Sequence, residues 1–153
     1  MTSLASEVIK ALAGKTLATA ESCTGGMIGQ LLTSVSGASA VYKGGVISYT
    51  NEVKQNLLGV DGGLLQQCGP VSAPVAQEMA AGARKALNAD AAVSVTGLAG
   101  PTGDEFGNPV GTVFIGFSCE KKSEVKEFHF AGDREAVRRQ AAEAALRLVL
   151  KNV

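Results

Sequence analysis

The residues most able to do chemistry lie in Glu21-Ser22-Cys23-Thr24-Gly25-Gly26, where a hydroxyl and a thiol precede two glycines. An apolar run, Thr16 to Ala20, comes before them, and Met27, Ile28, Leu31 and Leu32 follow at helical spacing. Ser22 is thus expected between a strand end and a helix start, the edge of an open α/β sheet where ligands bind. There the first helical N–H groups have no internal partner, so an oxyanion or phosphate can be held. The commoner role for Ser22 or Thr24 in such a place is to cap the helix near Gly25.

A nucleophilic serine needs a base. The single histidine, His129, stands between Phe128 and Phe130 in an expected edge hairpin, where a surface strand histidine is the simpler reading. A Ser–Lys pair is the other route, and it requires a lysine that sheds its proton near neutral pH. Lys54 fits by position, in the first turn of the helix after the second strand, beside Tyr49 and Asn51. The positive end of that helix would lower its pKa. A solvated helix lysine is the competing reading. Cys23 offers a second nucleophile, as a thiolate at a helix N-terminus has a lowered pKa.

A third corner is Ser94-Val95-Thr96-Gly97-Leu98-Ala99-Gly100-Pro101-Thr102-Gly103, after a Val-rich apolar run. Its glycines permit close backbone approach to a ligand. No lysine follows them, so it is not a phosphate-clamping P-loop. Arg134 and Arg138, one helical turn apart, could grip a phosphate together or stand in solvent. Asp104 and Glu105 alone make no convincing metal site.

These corners must be positioned by secondary structure, and the pattern supplies it. Helices are expected over 3–13 (Ser3 as cap), from Met27, over 51–58, near 63–67, over 72–88 and from Gly132-Asp133 to Lys151. Strands are expected over 16–20, 41–49, 91–96, 110–119 and 124–130, the last two as a hairpin. The order implies a single domain over 1–153, a three-layer α/β/α sandwich with a mixed, mostly parallel sheet. Residues 97–109 read as an active-site loop.

Composition narrows the function classes. The 153 residues carry 14 Lys plus Arg against 14 Asp plus Glu, which leaves no basic footprint for nucleic acid or an anionic membrane. Three cysteines without short spacings give neither a disulfide framework nor a zinc knuckle, and fit a reducing compartment. Neither a signal peptide nor an apolar run of membrane-spanning length is seen, so a cytoplasmic location is expected.

Together these segments resemble the CinA C-terminal domain family (competence/damage-inducible protein). The match runs through Tyr42 to Tyr49 with Asn51 and Lys54, Gly69-Pro70-Val71-Ser72, Ser94 to Pro101, Pro109 to Val113, and Gly132-Asp133-Arg134 with Arg138. Stand-alone members are nicotinamide mononucleotide amidohydrolases. The resemblance implies Ser22 as nucleophile with Lys54 and Tyr49 as activating partners, no cofactor or metal, and a homo-oligomer. Substrate binding is then expected from Glu21, Thr24, Gly25, Gly26, Asn51, Thr96, Gly97, Gly100, Arg134 and Arg138. A catalytically silent nucleotide-binding or regulatory domain of the same fold is the alternative.

Overall fold

The computed structural model describes residues 2–153. The chain runs α1 (Thr2–Ala11), β1 (Leu17–Glu21), α2 (Met27–Thr33), a 3-10 turn at Ala38–Ala40, β2 (Tyr42–Ile47), α3 (Asn51–Leu58), α4 (Gly62–Cys68) and α5 (Ala73–Ala86). It continues with β3 (Ala91–Gly97), β4 (Thr112–Cys119), β5 (Ser123–His129) and α6 (Arg134–Lys151). α1 begins before Ser3, the residue expected to cap it, whose side chain lies outside the described residues. Among the described residues, no helix is long and apolar enough to cross a membrane.

One sheet orders the strands β2-β1-β3-β4-β5. β1 pairs in parallel with β2 and with β3, whereas β3–β4 and β4–β5 are antiparallel. The expectation of a mostly parallel sheet is corrected, since only half of the pairings are parallel. The cause is the loop after β3. It carries no helix and returns the chain into the neighbouring strand, and the polar turn after β4 does so again, so neither connection crosses a face of the sheet.

Strand alternation divides the core between the two faces of the sheet. Leu17, Val93, Val95, Val113, Ile115 and Phe117 join residues of α1, α2 and α6 in one cluster. Ala18, Ala20 and Ala92 join residues of α3, α4 and α5 in another. Alanines on that second face let α5 lie close against the sheet. α3 is held in turn by α5: a β-carbon at Gly82 would stand 1.9 Å from the Leu58 carbonyl oxygen, so only glycine fits.

This topology fixes where a ligand can sit. From β1 the chain crosses one face through α2 to reach β2, then crosses the other face through α5 to reach β3 on the far side of β1. The two crossovers diverge at the carboxyl end of β1, which opens a crevice there. Ser22 is the first residue beyond that end.

Candidate active site

A cleft of about 360 Å³ lies at this crevice, lined by Ser22, Cys23, Tyr49, Asn51, Lys54, Pro70, Val71, Thr96, Gly97, Leu98, Ala99, Gly100, Thr102, Gly103 and Arg134. All three corners contribute to it because β1, β2 and β3 run parallel and end at one edge. The size falls among small-ligand sites.

Ser22 is held by its own backbone, its N–H donating to the Val95 carbonyl at 3.0 Å as the last rung of the β1–β3 ladder. Its Oγ lies 3.1 Å from Lys54 Nζ. Lys54 is no solvated lysine, for it is 1% exposed. It sits four residues before Leu58 on the buried face of α3. Its Nζ donates to the Ser48 carbonyl at 2.7 Å and to the Tyr49 carbonyl at 3.4 Å. Burial lowers its pKa from 10.5 to about 8. Desolvation favours the neutral amine.

The hydrogen-bond count around Nζ suits that neutral amine. Its two N–H bonds meet the two carbonyls, and its lone pair remains for the Ser22 hydroxyl to donate into. Once protonated, the ammonium keeps both carbonyls and gains a third N–H aimed at Oγ. The site can therefore take a proton from Ser22 and return it.

Tyr49 departs from expectation. The residue is 59% exposed, and its phenol oxygen accepts from Arg134 Nη2 at 3.3 Å. Only its carbonyl reaches Lys54. The Lys54 amine is thus placed by two backbone acceptors, Ser48 and Tyr49, that carry no side-chain signature in the sequence. Asn51 and Thr96 both line the cleft. The Thr96 hydroxyl donates to the Pro70 carbonyl at 2.7 Å, which draws Pro70 and Val71 into the wall.

The two arginines separate. Arg134, the first residue of α6, overhangs the cleft and donates to the Gly100 carbonyl and to Tyr49. Gly100 takes φ +104° at that contact, a conformation that favours glycine. Arg138 stands behind the wall, its Nε donating to the Cys23 carbonyl at 2.9 Å and its Nη2 to Thr24 at 3.2 Å. A joint phosphate grip is corrected: one turn of helix puts both on one face, but Arg138 is spent on the turn that carries Ser22.

Glu21, Thr24, Gly25 and Gly26, expected to bind ligand, also lie outside the cleft lining. Glu21 and Thr24 are buried, and Thr24 Oγ1 donates to Glu21 Oε1 at 2.6 Å. The Gly25 amide is bonded to the Ser22 carbonyl and the Gly26 amide to Glu21. Free amides remain at Cys23 and Thr24, which find no acceptor among the described residues. Gly97 adds another. Leu98 exchanges its hydrogen bonds with the β4 side, donating to the Thr112 carbonyl at 2.9 Å and accepting from Gly111 at 2.8 Å. By strand alternation the Gly97 N–H points the opposite way, past the end of β1 toward Ser22.

Cys23 is not an activated thiol, because burial pushes its pKa up to about 11. His129 is a surface residue on the edge strand, 2.7 Å from Glu127.

Comparisons with known proteins agree with this architecture. A family model described as the CinA C-terminal domain matches residues 1–153. The putative competence-damage inducible protein of Bacillus velezensis is 47% identical over 152 residues, 98% of this chain and 36% of that protein. The chain thus spans about a third of the length of such relatives. Nicotinamide-nucleotide amidohydrolase PncC of Escherichia coli K12 is 47% identical over 134 residues, 87% of this chain and 81% of that protein. Among solved structures, a CinA superfamily protein from Klebsiella pneumoniae 700603 has a TM-score of 0.96 at 36% identity, with 99% of this chain and 96% of that one covered. CihA from Agrobacterium tumefaciens has a TM-score of 0.94 at 36% identity, covering 98% of this chain and 93% of that one.

Proposed function

The chain belongs to the CinA C-terminal domain family, and on that footing we propose that it hydrolyses the carboxamide of nicotinamide mononucleotide, releasing ammonia and nicotinate mononucleotide. The observation that carries the reading is the 3.1 Å contact between Ser22 Oγ and the sealed amine of Lys54, whose pKa is about 8.

In the first step Ser22 Oγ attacks the carboxamide carbon as its proton passes to Lys54 Nζ. The carbonyl π pair moves onto oxygen, where the free amides of Cys23, Thr24 and Gly97 are the available donors. The new ammonium then protonates the leaving nitrogen, the C–N bond breaks, and ammonia departs from a Ser22 ester. Water attacks that ester with Lys54 again as base, and the proton returns to Oγ as the acid is released. Residues of this chain supply each proton transfer. The substrate's pyridinium ring withdraws electrons from the carbonyl and aids both attacks.

Apart from Lys54, Arg134 is the one charged side chain lining the cleft. We therefore place the 5′-phosphate on its side, under the Tyr49 and Gly100 rim.

The test is incubation of pure protein with nicotinamide mononucleotide in a coupled ammonia assay. Wild type should release one ammonia per nucleotide consumed. Ser22→Ala should release none, yet bind the nucleotide within about tenfold of wild type, or about 1.4 kcal/mol. Substantial turnover by folded Ser22→Ala would reject the nucleophile, and binding without turnover by wild type would leave a silent nucleotide-binding domain.

A further inference from the structure

At a strand–turn–helix corner of this kind, the first amides of the helix usually hold the ligand's negative group. Here they are already taken. Glu21 Oε1 accepts from the Gly26 amide at 3.2 Å and the Ile28 amide at 3.0 Å, and Oε2 accepts from the Gly29 amide at 3.0 Å. Thr24 Oγ1 supplies a fourth donor. The carboxylate is 2% exposed and, among the described residues, no cation bonds to it.

Burying a charge in this way is a costly means of ending a helix. A Ser, Thr or Asp at the cap position would satisfy α2 at the surface for less. The sequence instead places Gly26 there, at φ +103° and without a capping side chain, and sends a carboxylate from the last residue of β1. Glu21 is also the residue before Ser22. Its carbonyl accepts from the Ser48 amide at 2.7 Å, one residue before Tyr49. One residue thus joins the nucleophile turn, the helix below it and the segment whose carbonyls place Lys54.

We propose that Glu21 is a positioning residue that fills the α2 amide cradle from within, fixing Ser22 on Lys54 and closing the cradle to the ligand's own anion. The proposal rests on the amidohydrolase reading for its kinetic consequence only. With the cradle filled, the α2 amides offer the ligand's phosphate no seat, and Arg134 at the rim is the cationic contact left to it in the cleft. Arg138 completes the clamp from the other side through the Cys23 and Thr24 carbonyls.

The test removes the internal anion and offers one from solution. A separate small cavity of about 210 Å³, lined in part by Glu21, Thr19, Gly29 and Tyr42, gives formate a route to the vacated carboxylate position. In Glu21→Ala, sodium formate should raise the thermal midpoint by several degrees more than chloride at equal ionic strength, while wild type should respond equally to both. This arm needs no turnover.

In the ammonia assay, Glu21→Ala should lose about 10²-fold in kcat, the scale of a small misplacement of reacting groups, and formate should restore about tenfold. KM should stay within about threefold of wild type. Glu21→Gln fills the space but turns an N–H donor toward an amide donor. It should lose kcat comparably and gain nothing from formate. Wild-type kcat in folded Glu21→Ala or in Glu21→Gln overturns the proposal, as does a formate response no larger than chloride's. If Glu21→Ala fails to fold, Glu21→Gln decides. An inactive wild type would refute the amidohydrolase reading, and the thermal arm would still judge Glu21.

Discussion

Replacing Lys54 tests its proposed service as a base against service as a charge. A lysine held at about 8 rather than 10.5 carries about 3 kcal/mol against its charged form. At pH 7 about one molecule in ten then has the neutral amine, against about one in three thousand for an ordinary lysine. The rate should therefore rise with pH and level off above the lowered value, with kcat/KM reporting an apparent pKa near 8.

Stability follows the same group. The folded value lies below the unfolded one, so folding releases a proton between about pH 8 and 10.5. Stability rises across that window, and the cost stands in full below it. Lys54→Met removes the cost but strands the Ser48 carbonyl, a loss of about 1–3 kcal/mol. The two nearly cancel, so the Met variant should fold with a midpoint close to wild type and lose about 10³-fold in kcat. Lys54→Arg keeps a charge that cannot be shed, and should be equally inactive and less stable. The assay is ammonia release from pH 6 to 9.5 beside thermal melts. An active Lys54→Arg enzyme, or an acid limb unchanged in either variant, would refute the Ser–Lys chemistry.

Three further outcomes are expected. Arg134→Ala should raise KM for the mononucleotide about tenfold or more while sparing activity on the riboside, whereas Arg138→Ala should lower kcat on both and reduce the melting temperature; the reverse pattern would move the phosphate site. Cys23→Ala should retain most of its activity across neutral pH, because a thiol near pKa 11 supplies no nucleophile, and loss of the acyl-enzyme in that variant would reopen the assignment. Gly82→Ala should destabilise by about 3 kcal/mol in denaturant melts and cost activity, since the methyl must push Leu58 and with it the helix that carries Lys54.

Hydrophobic period made most of the fold legible. Every long helix and all five strands stand within a few residues of their expected bounds. The 3-10 turn at Ala38–Ala40 carries no such period, and the start of β4 slipped from Val110 to Thr112 because Gly111 at φ +94° breaks the extended chain. The parallel fraction of the sheet escaped because pairing direction depends on where the long loop lands. In the site, Ser22 and Lys54 were legible as types at suitable corners. Lys54's burial was available too, since it shares a helix face with Leu58. What was not legible is the fate of polar groups after packing. Tyr49 meets Lys54 through its carbonyl, and Arg138 and Glu21 are consumed by one turn. Spacing assigns a face, not the acceptor waiting there.

The loop over the cleft leaves β3 and re-enters the sheet through β4, the adjacent antiparallel strand, so its two feet are neighbours. Closing such a loop costs chain entropy that grows only with the logarithm of length, about 0.6 kcal/mol for each doubling. Residues between Gly100 and Pro109 can therefore be added, removed or exchanged without shifting the register of either strand. The Ser22–Lys54 pair hangs from β1 and α3, outside that segment altogether. Aperture and the Ser22–Lys54 contact are thus carried by separable stretches of chain, and a library confined to this one loop samples different ligand sizes against an unchanged pair.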